Sequence, residues 1–171
     1  MLELLAAANA KATFFLAGEQ VARRPALASE IVTAGHEVGV HCLRHRNLMW
    51  LTPRQVADDL ARAEDVIVAA TGAEPRFHRP PFGILTTAAL AIARRHGWET
   101  VLWRRDGADW EAKTDPNRIA SKILSRLEPG DVVLLHDADY YSAPGSWRRA
   151  EGALKLVLEE LGRRGLTPAP L

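Results

Sequence analysis

His41 and His45 stand four residues apart in the stretch His41-Cys42-Leu43-Arg44-His45, and two imidazoles at that spacing can close on one metal ion. A catalytic zinc-type site takes three protein ligands and keeps a position open for water or substrate, so the pair needs a carboxylate to complete it. Cys42 offers a thiolate but points away from both histidines if the segment is one turn. Arg79-Pro80-Pro81-Phe82-Gly83 joins a cation to two residues of fixed φ and a glycine. Such a loop is rigid enough to hold Arg79 against a carboxylate and to aim a backbone N–H at a substrate oxygen. Asp106-Gly107-Ala108-Asp109-Trp110 supplies two carboxylates and an indole, and His136-Asp137 ends an apolar run. A histidine fixed there and oriented by a carboxylate suits proton transfer near neutral pH. Each piece also has an ordinary reading: loop histidines, a Pro-rich turn, a helix cap, a strand-end histidine.

The placement of these pieces is the stronger signal. Strand-like runs are expected at Ala12–Ala17, Glu37–Val40, Arg76–His78, Thr100–Trp103, Asp131–Leu135 and Leu166–Ala169. The four polar clusters lie just past the C-terminal ends of four of them. In barrels and in open α/β sheets alike, the C-terminal ends of parallel strands carry the chemistry. Helical patterns lie between the runs. Thr52-Pro53-Arg54-Gln55 reads as a capping box, with Val56, Leu60, Ala63, Ile67 and Ala70 on one face and Gly72 as the stop. Further helices are expected over Pro25–Ala34, Thr87–His96, Asp115–Leu127 and Ser146–Leu161, with Met1–Asn9 as another. Strands alternating with helices imply βα units and a parallel sheet, either open or closed into a barrel.

Composition narrows the partners. Lys and Arg total 22 against 21 for Asp and Glu, a net charge of +1, which argues against a nucleic-acid partner. No apolar run is long enough to span a bilayer. The opening residues carry Glu3 where a signal peptide carries positive charge, so no signal sequence is expected and compartment is left open. The single Cys42 cannot form an intrachain disulfide, and with 47% hydrophobic residues in 171 the chain can build one cored domain.

In this order the motifs resemble those of the NodB-homology polysaccharide deacetylases, carbohydrate esterase family 4, across nearly the whole chain. Lys11-Ala12-Thr13-Phe14-Phe15 is similar to that family's second strand, and Ala34-Gly35-His36-Glu37-Val38-Gly39 leads into the histidine pair as it does there. The resemblance implies a distorted (β/α) barrel, a divalent metal cofactor (usually zinc), and hydrolytic removal of N- or O-acetyl groups from a sugar polymer such as chitin oligomers or peptidoglycan. His41 and His45 would be metal ligands. Arg79 would orient the catalytic base, and the Phe82 backbone N–H would help hold the oxyanion. Trp110 and Leu134 would line the acetyl pocket. His136 would be the general acid, tuned by Asp109. His36, His78 and His96 match no family role and are read as structural or surface residues.

The family's first motif, a strand ending in adjacent aspartates, has no counterpart in these residues. Asp58-Asp59 is the one such pair and lies within a helical pattern. The resemblance therefore implies an impaired enzyme, a single domain over 1–171 that begins at an internal start and lacks its first strand. Cys42 also replaces the usual Ser or Thr of the histidine loop. Three other readings are a sugar-binding remnant without turnover, a related hydrolase of small cyclic amides, and a structural metal-binding domain. The last leaves Arg79, Asp109 and His136 unexplained together.

Overall fold

The structure is a computed structural model and describes all 171 residues. Two compact units are distinguished: Lys11–Leu102 with Pro170–Leu171, and Met1–Ala10 with Trp103–Ala169. The chain opens with helix α1 (Leu2–Ala7), a member of the latter unit.

The Lys11–Leu102 unit is built on a four-stranded parallel sheet in the order β1-β2-β3-β4. Its strands are β1 (Thr13–Ala17), β2 (Glu37–Cys42), β3 (Phe77–His78) and β4 (Glu99–Thr100). Helices α2 (Gly18–Arg23), α3 (Pro25–Thr33), α4 (Pro53–Thr71) and α5 (Thr87–Arg95) connect them. The expected capping box at α4 is formed in full: the Thr52 hydroxyl accepts from the Gln55 amide while the Gln55 side chain accepts from the Thr52 amide. Gly72 ends that helix with φ +67, a conformation that carries little penalty only without a Cβ. The apolar stripe Val56, Leu60, Ala63 and Ile67 is fully buried. Each such side chain is worth roughly 1.5–3 kcal/mol of burial for the larger residues.

The remaining unit contains β5 (Arg105–Asp106) paired in parallel with β6 (Val133–Leu134), and the helices α6 (Pro116–Leu124) and α7 (Ser146–Arg163). Ile119, Ile123, Ala153 and Val157 form its core, with Leu156 and Leu161 packed on it. Asp115 caps α6 by accepting from the Asn117 and Arg118 amides, ahead of Pro116 at the first helical position.

Several boundaries differ from expectation. Of the expected run Thr100–Trp103 only Thr100 lies in a strand, at the end of β4, and β5 begins beyond the run at Arg105. Leu166–Ala169 forms no strand, α6 stops three residues short of Leu127, and α2, six residues with no side-chain cap, was not expected at all. The expected α/β class with parallel strands is the one present.

Candidate active site

In the sheet unit, β2 runs through His41 rather than ending before it. Leu16 pairs with Val40 and Ala17 with Cys42, so His41 is the extra residue of a β-bulge. A bulge breaks the ladder and re-aims one side chain, which is why such features cluster beside functional sites. The ring is then locked from β3. His41 Nδ1 lies 2.5 Å from the Arg79 carbonyl oxygen; the carbonyl accepts, so Nδ1 donates and Nε2 is the ring atom able to ligate. The His45 ring sits 5.0 Å from the His41 ring, centroid to centroid, and 4.6 Å edge-to-face from Phe82.

Asp59, fully buried on α4, holds the loop that carries this pair. One of its oxygens accepts from the Leu43 amide at 2.7 Å, and the other from Arg46 Nη2 at 2.8 Å. Sequence reasoning passed over Asp59 as half of a misplaced pair. The available signal was its position three residues after Val56 and four before Ala63, on the apolar face of the helix, where a carboxylate must find partners. Cys42, beside the bulge, is wholly buried, and burial pushes its thiol well above the ordinary range. It therefore remains a thiol at neutral pH.

Arg79 is buried, its Nε donating to the Val101 carbonyl and Nη2 to the Leu102 carbonyl, with the guanidinium 4.0 Å from the Phe15 ring centre. Burial pulls its pKa down to about 10, so it stays a cation at neutral pH. Phe82 adopts φ +59 and ψ 8, a left-handed conformation that a residue with a Cβ holds only under constraint, and its ring is 57% exposed. The fixed φ of Pro80 and Pro81 and the left-handed Gly83 supply that constraint.

In the other unit the sequence-derived group Asp109, Trp110, Leu134 and His136 is assembled directly. Asp109 is completely buried. It accepts from the His136 backbone amide at 2.8 Å and from His136 Nδ1 at 3.1 Å. The imidazole is thereby fixed with Nδ1 as donor, and its side chain remains 39% exposed. Trp110 meets it edge-on at 5.6 Å, and Leu134 in β6 is buried two residues before it. Asp106 is a brace for this loop. It accepts from Trp103 Nε1, Lys122 Nζ and the Ala108 amide, and these interactions, with Lys122 the strongest, hold its carboxyl below the usual carboxylate range despite partial burial. Ala108 is held left-handed at φ +52 immediately before Asp109.

The three histidines without an expected role are structural. His36 Nδ1 accepts from the Ala12 amide, His96 pairs with Glu64 at 2.7 Å against Trp98, and His78 is fully buried.

Two oriented imidazoles fit two positions of a catalytic zinc centre, but no group of three His, Cys, Asp or Glu residues converges anywhere in the chain. As they stand, these residues do not fit a complete catalytic metal centre.

Residues 1–101 match the family model described as polysaccharide deacetylase. A chitooligosaccharide deacetylase of Bradyrhizobium sp. (strain ANU 289) is 35% identical over the whole of this chain and 81% of its own length. Among solved structures, the Bc1960 peptidoglycan N-acetylglucosamine deacetylase superposes on 99% of this chain with a TM-score of 0.91 at 28% identity, covering 77% of that protein. BA3943 from Bacillus anthracis, a CE4 family pseudoenzyme, superposes on 99% with a TM-score of 0.88 at 30% identity. This chain spans 57% of that protein's length.

Proposed function

Because this chain belongs to the polysaccharide deacetylase family, we propose that it acts on acetylated sugars of a polysaccharide, hydrolysing an N-acetyl (or O-acetyl) group. The observation that carries this reading is the Asp109–His136 pair: a buried carboxylate fixing an exposed imidazole through Nδ1. That arrangement leaves Nε2 as the free ring nitrogen, which can give a proton only when the ring is the imidazolium, with both nitrogens protonated. As the C–N bond of the acetamide breaks, His136 delivers that proton to the leaving amine, and Asp109 stabilises the imidazolium before transfer. By the family resemblance, Phe82 would offer its N–H to the developing oxyanion, Trp110 and Leu134 would line the place of the methyl group, and water supplies the oxygen that leaves as acetate. Arg79, anchored on two carbonyls and the Phe15 ring, orients whatever carboxylate serves as base.

His41 and His45 are proposed as two ligands of a divalent metal, zinc by the family's habit. With only these two, metal binds weakly and turnover by these 171 residues is impaired, because no strand-end aspartate pair is present to supply the base and the third ligand. A missing general base alone lowers the rate by roughly 10²–10⁴. The pseudoenzyme neighbour favours one alternative, a glycan-binding domain without turnover.

The test is zinc-dependent acetate release from an acetylated chito-oligosaccharide, comparing this chain with a form preceded by a strand ending in Asp-Asp. Release only from the latter supports the deacetylase reading and the impairment. Release from the chain as given overturns the impairment. Glycan binding with no release from either form replaces the deacetylase with the binding domain.

A further inference from the structure

A cleft of about 940 Å³ lies wholly in the unit that carries His136 and is lined by Arg105, Lys113, Arg118, Lys122 and Arg126 against the one carboxylate of Glu111. Ligand clefts commonly measure about 300–1,000 Å³. For a chain of net charge +1 this is a strong local concentration of one sign. Arg105 is committed to Asp131 and Lys122 to Asp106. Lys113, Arg118 and Arg126 are exposed and enter no ion pair. Thr114, Asn117, Ser121 and Ser125 add hydrogen-bonding groups to the lining.

The backbone gives an independent sign that Arg126 is there for its side chain. Four helices end on a left-handed glycine: Gly35 after α3, Gly72 after α4, Gly97 after α5 and Gly165 after α7. Two residues after α6, past the extended Ser125, stands Arg126 with φ +58. Glycine would relieve that strain, so the fold tolerates an unfavourable backbone to present a guanidinium at the rim. Arg105 Nη2 donates to the Arg126 carbonyl and ties this strained turn to the cleft. Ala108, also left-handed, lines the cleft one residue before Asp109. The cleft thus reaches the backbone of the loop that carries Asp109.

We propose that this cleft binds carboxylate or phosphate groups of an anionic glycan, so that the acetylated polymer taken by this chain carries negative charge. The proposal rests on the deacetylase reading for its polymer, and on the cleft alone for its anion.

The full chain is titrated calorimetrically with a tetrasaccharide alternating N-acetylglucosamine and glucuronate, with neutral chitotetraose, and with inorganic pyrophosphate. The charged tetrasaccharide is expected to bind about tenfold tighter than the neutral one, an advantage lost between roughly 50 and 300 mM salt as screening shortens the field. The Lys113→Glu/Arg118→Glu variant should lose about tenfold for the charged sugar and nothing for chitotetraose, each rim contact being worth a few-fold. Arg126→Gly should weaken the charged sugar about threefold by the same measure while melting no lower than the parent, which removes misfolding as an explanation. Equal binding of the two tetrasaccharides, or variants that bind the charged one like the parent, overturns the proposal. Pyrophosphate binding as tightly as the charged sugar, in competition with it, overturns the glycan and leaves a site for a free anion. Acetate release is read separately on chitotetraose with the Asp-Asp form: its absence sinks the deacetylase reading without touching the anion preference.

Discussion

Replacing His78 should flatten the loss of stability in acid. His78 is fully buried on β3; its Nε2 has no hydrogen-bond partner, and Nδ1 reaches only the Thr100 hydroxyl at 3.3 Å. Burial lowers its pKa from 6.5 to about 4, because a charged ring there would lose its hydration without gaining a partner. The unfolded chain therefore takes up a proton that the folded chain refuses. The stability tied to the neutral ring is complete above pH 6.5, declines as pH falls, and is gone once pH drops through about 4. That interval corresponds to about 3 kcal/mol. Urea unfolding followed by tryptophan fluorescence at pH 7.5 and near pH 4 would give the wild-type loss. His36, also lowered chiefly by burial, and the carboxylates contribute to that loss as well, so the informative quantity is the difference between wild type and variant. His78→Phe and His78→Leu should each lose about 3 kcal/mol less than wild type over this interval, whatever their stability at pH 7.5. Wild-type acid sensitivity in both variants would refute the reasoning. A functional consequence follows, because Arg79, whose carbonyl orients His41, is the next residue: charging His78 should loosen the histidine pair before the whole chain unfolds.

Three further expectations concern the site. Asp59→Ala leaves the Leu43 amide and Arg46 without their shared acceptor and should cost about 2–4 kcal/mol in thermal unfolding. The same change should weaken zinc binding in chelator competition by about 10–100-fold, the usual effect of losing a group that orients ligands. Asp109→Asn should lower acetate release in the Asp-Asp form by at least about 10², with ¹⁵N shifts of the His136 ring reporting the changed tautomer; an unchanged tautomer would show that Asp109 does not set it. Cys42, wholly buried with a raised pKa, should resist a disulfide reagent in the native chain and react only on unfolding, and rapid native labelling would contradict its burial.

The parts legible in the sequence are those fixed by local chemistry. Thr52 and Gln55 announce a helix start because their reciprocal bonds lie within one turn, and Gly72 announces its end because a left-handed residue is needed there. Asp109 and His136 stood out as candidates because each lies past the end of an apolar run. What was missed depends on partners distant in sequence. The bulge at His41 exists only through the register of β2 on β1. β4 stops at Thr100 where its pairing with β3 ends, and β5, past the apolar run, pairs with β6; neither pairing can be read from the run. The cationic cleft escaped notice because near-zero net charge averages over the whole surface, whereas α6 and the loop before it gather cations at one place.

Asp59 also decides between a functional and a merely structural reading of the histidine pair. A buried carboxylate is expensive to desolvate, and a well-packed apolar residue in place of a buried ion pair is often neutral or stabilising. If the loop at residues 41–46 served only the fold, α4 could present another leucine beside Leu60 and lose little. What leucine cannot do is accept from the Leu43 amide, the bond that fixes the path from His41 to His45. Asp59→Leu paired with Arg46→Leu is therefore expected to keep most of the stability, within about 1–2 kcal/mol, while losing zinc affinity by about tenfold or more. A variant that keeps zinc affinity at parental stability would assign Asp59 to the core alone, and with it would go the case that this loop is held rigid for the sake of its two imidazoles.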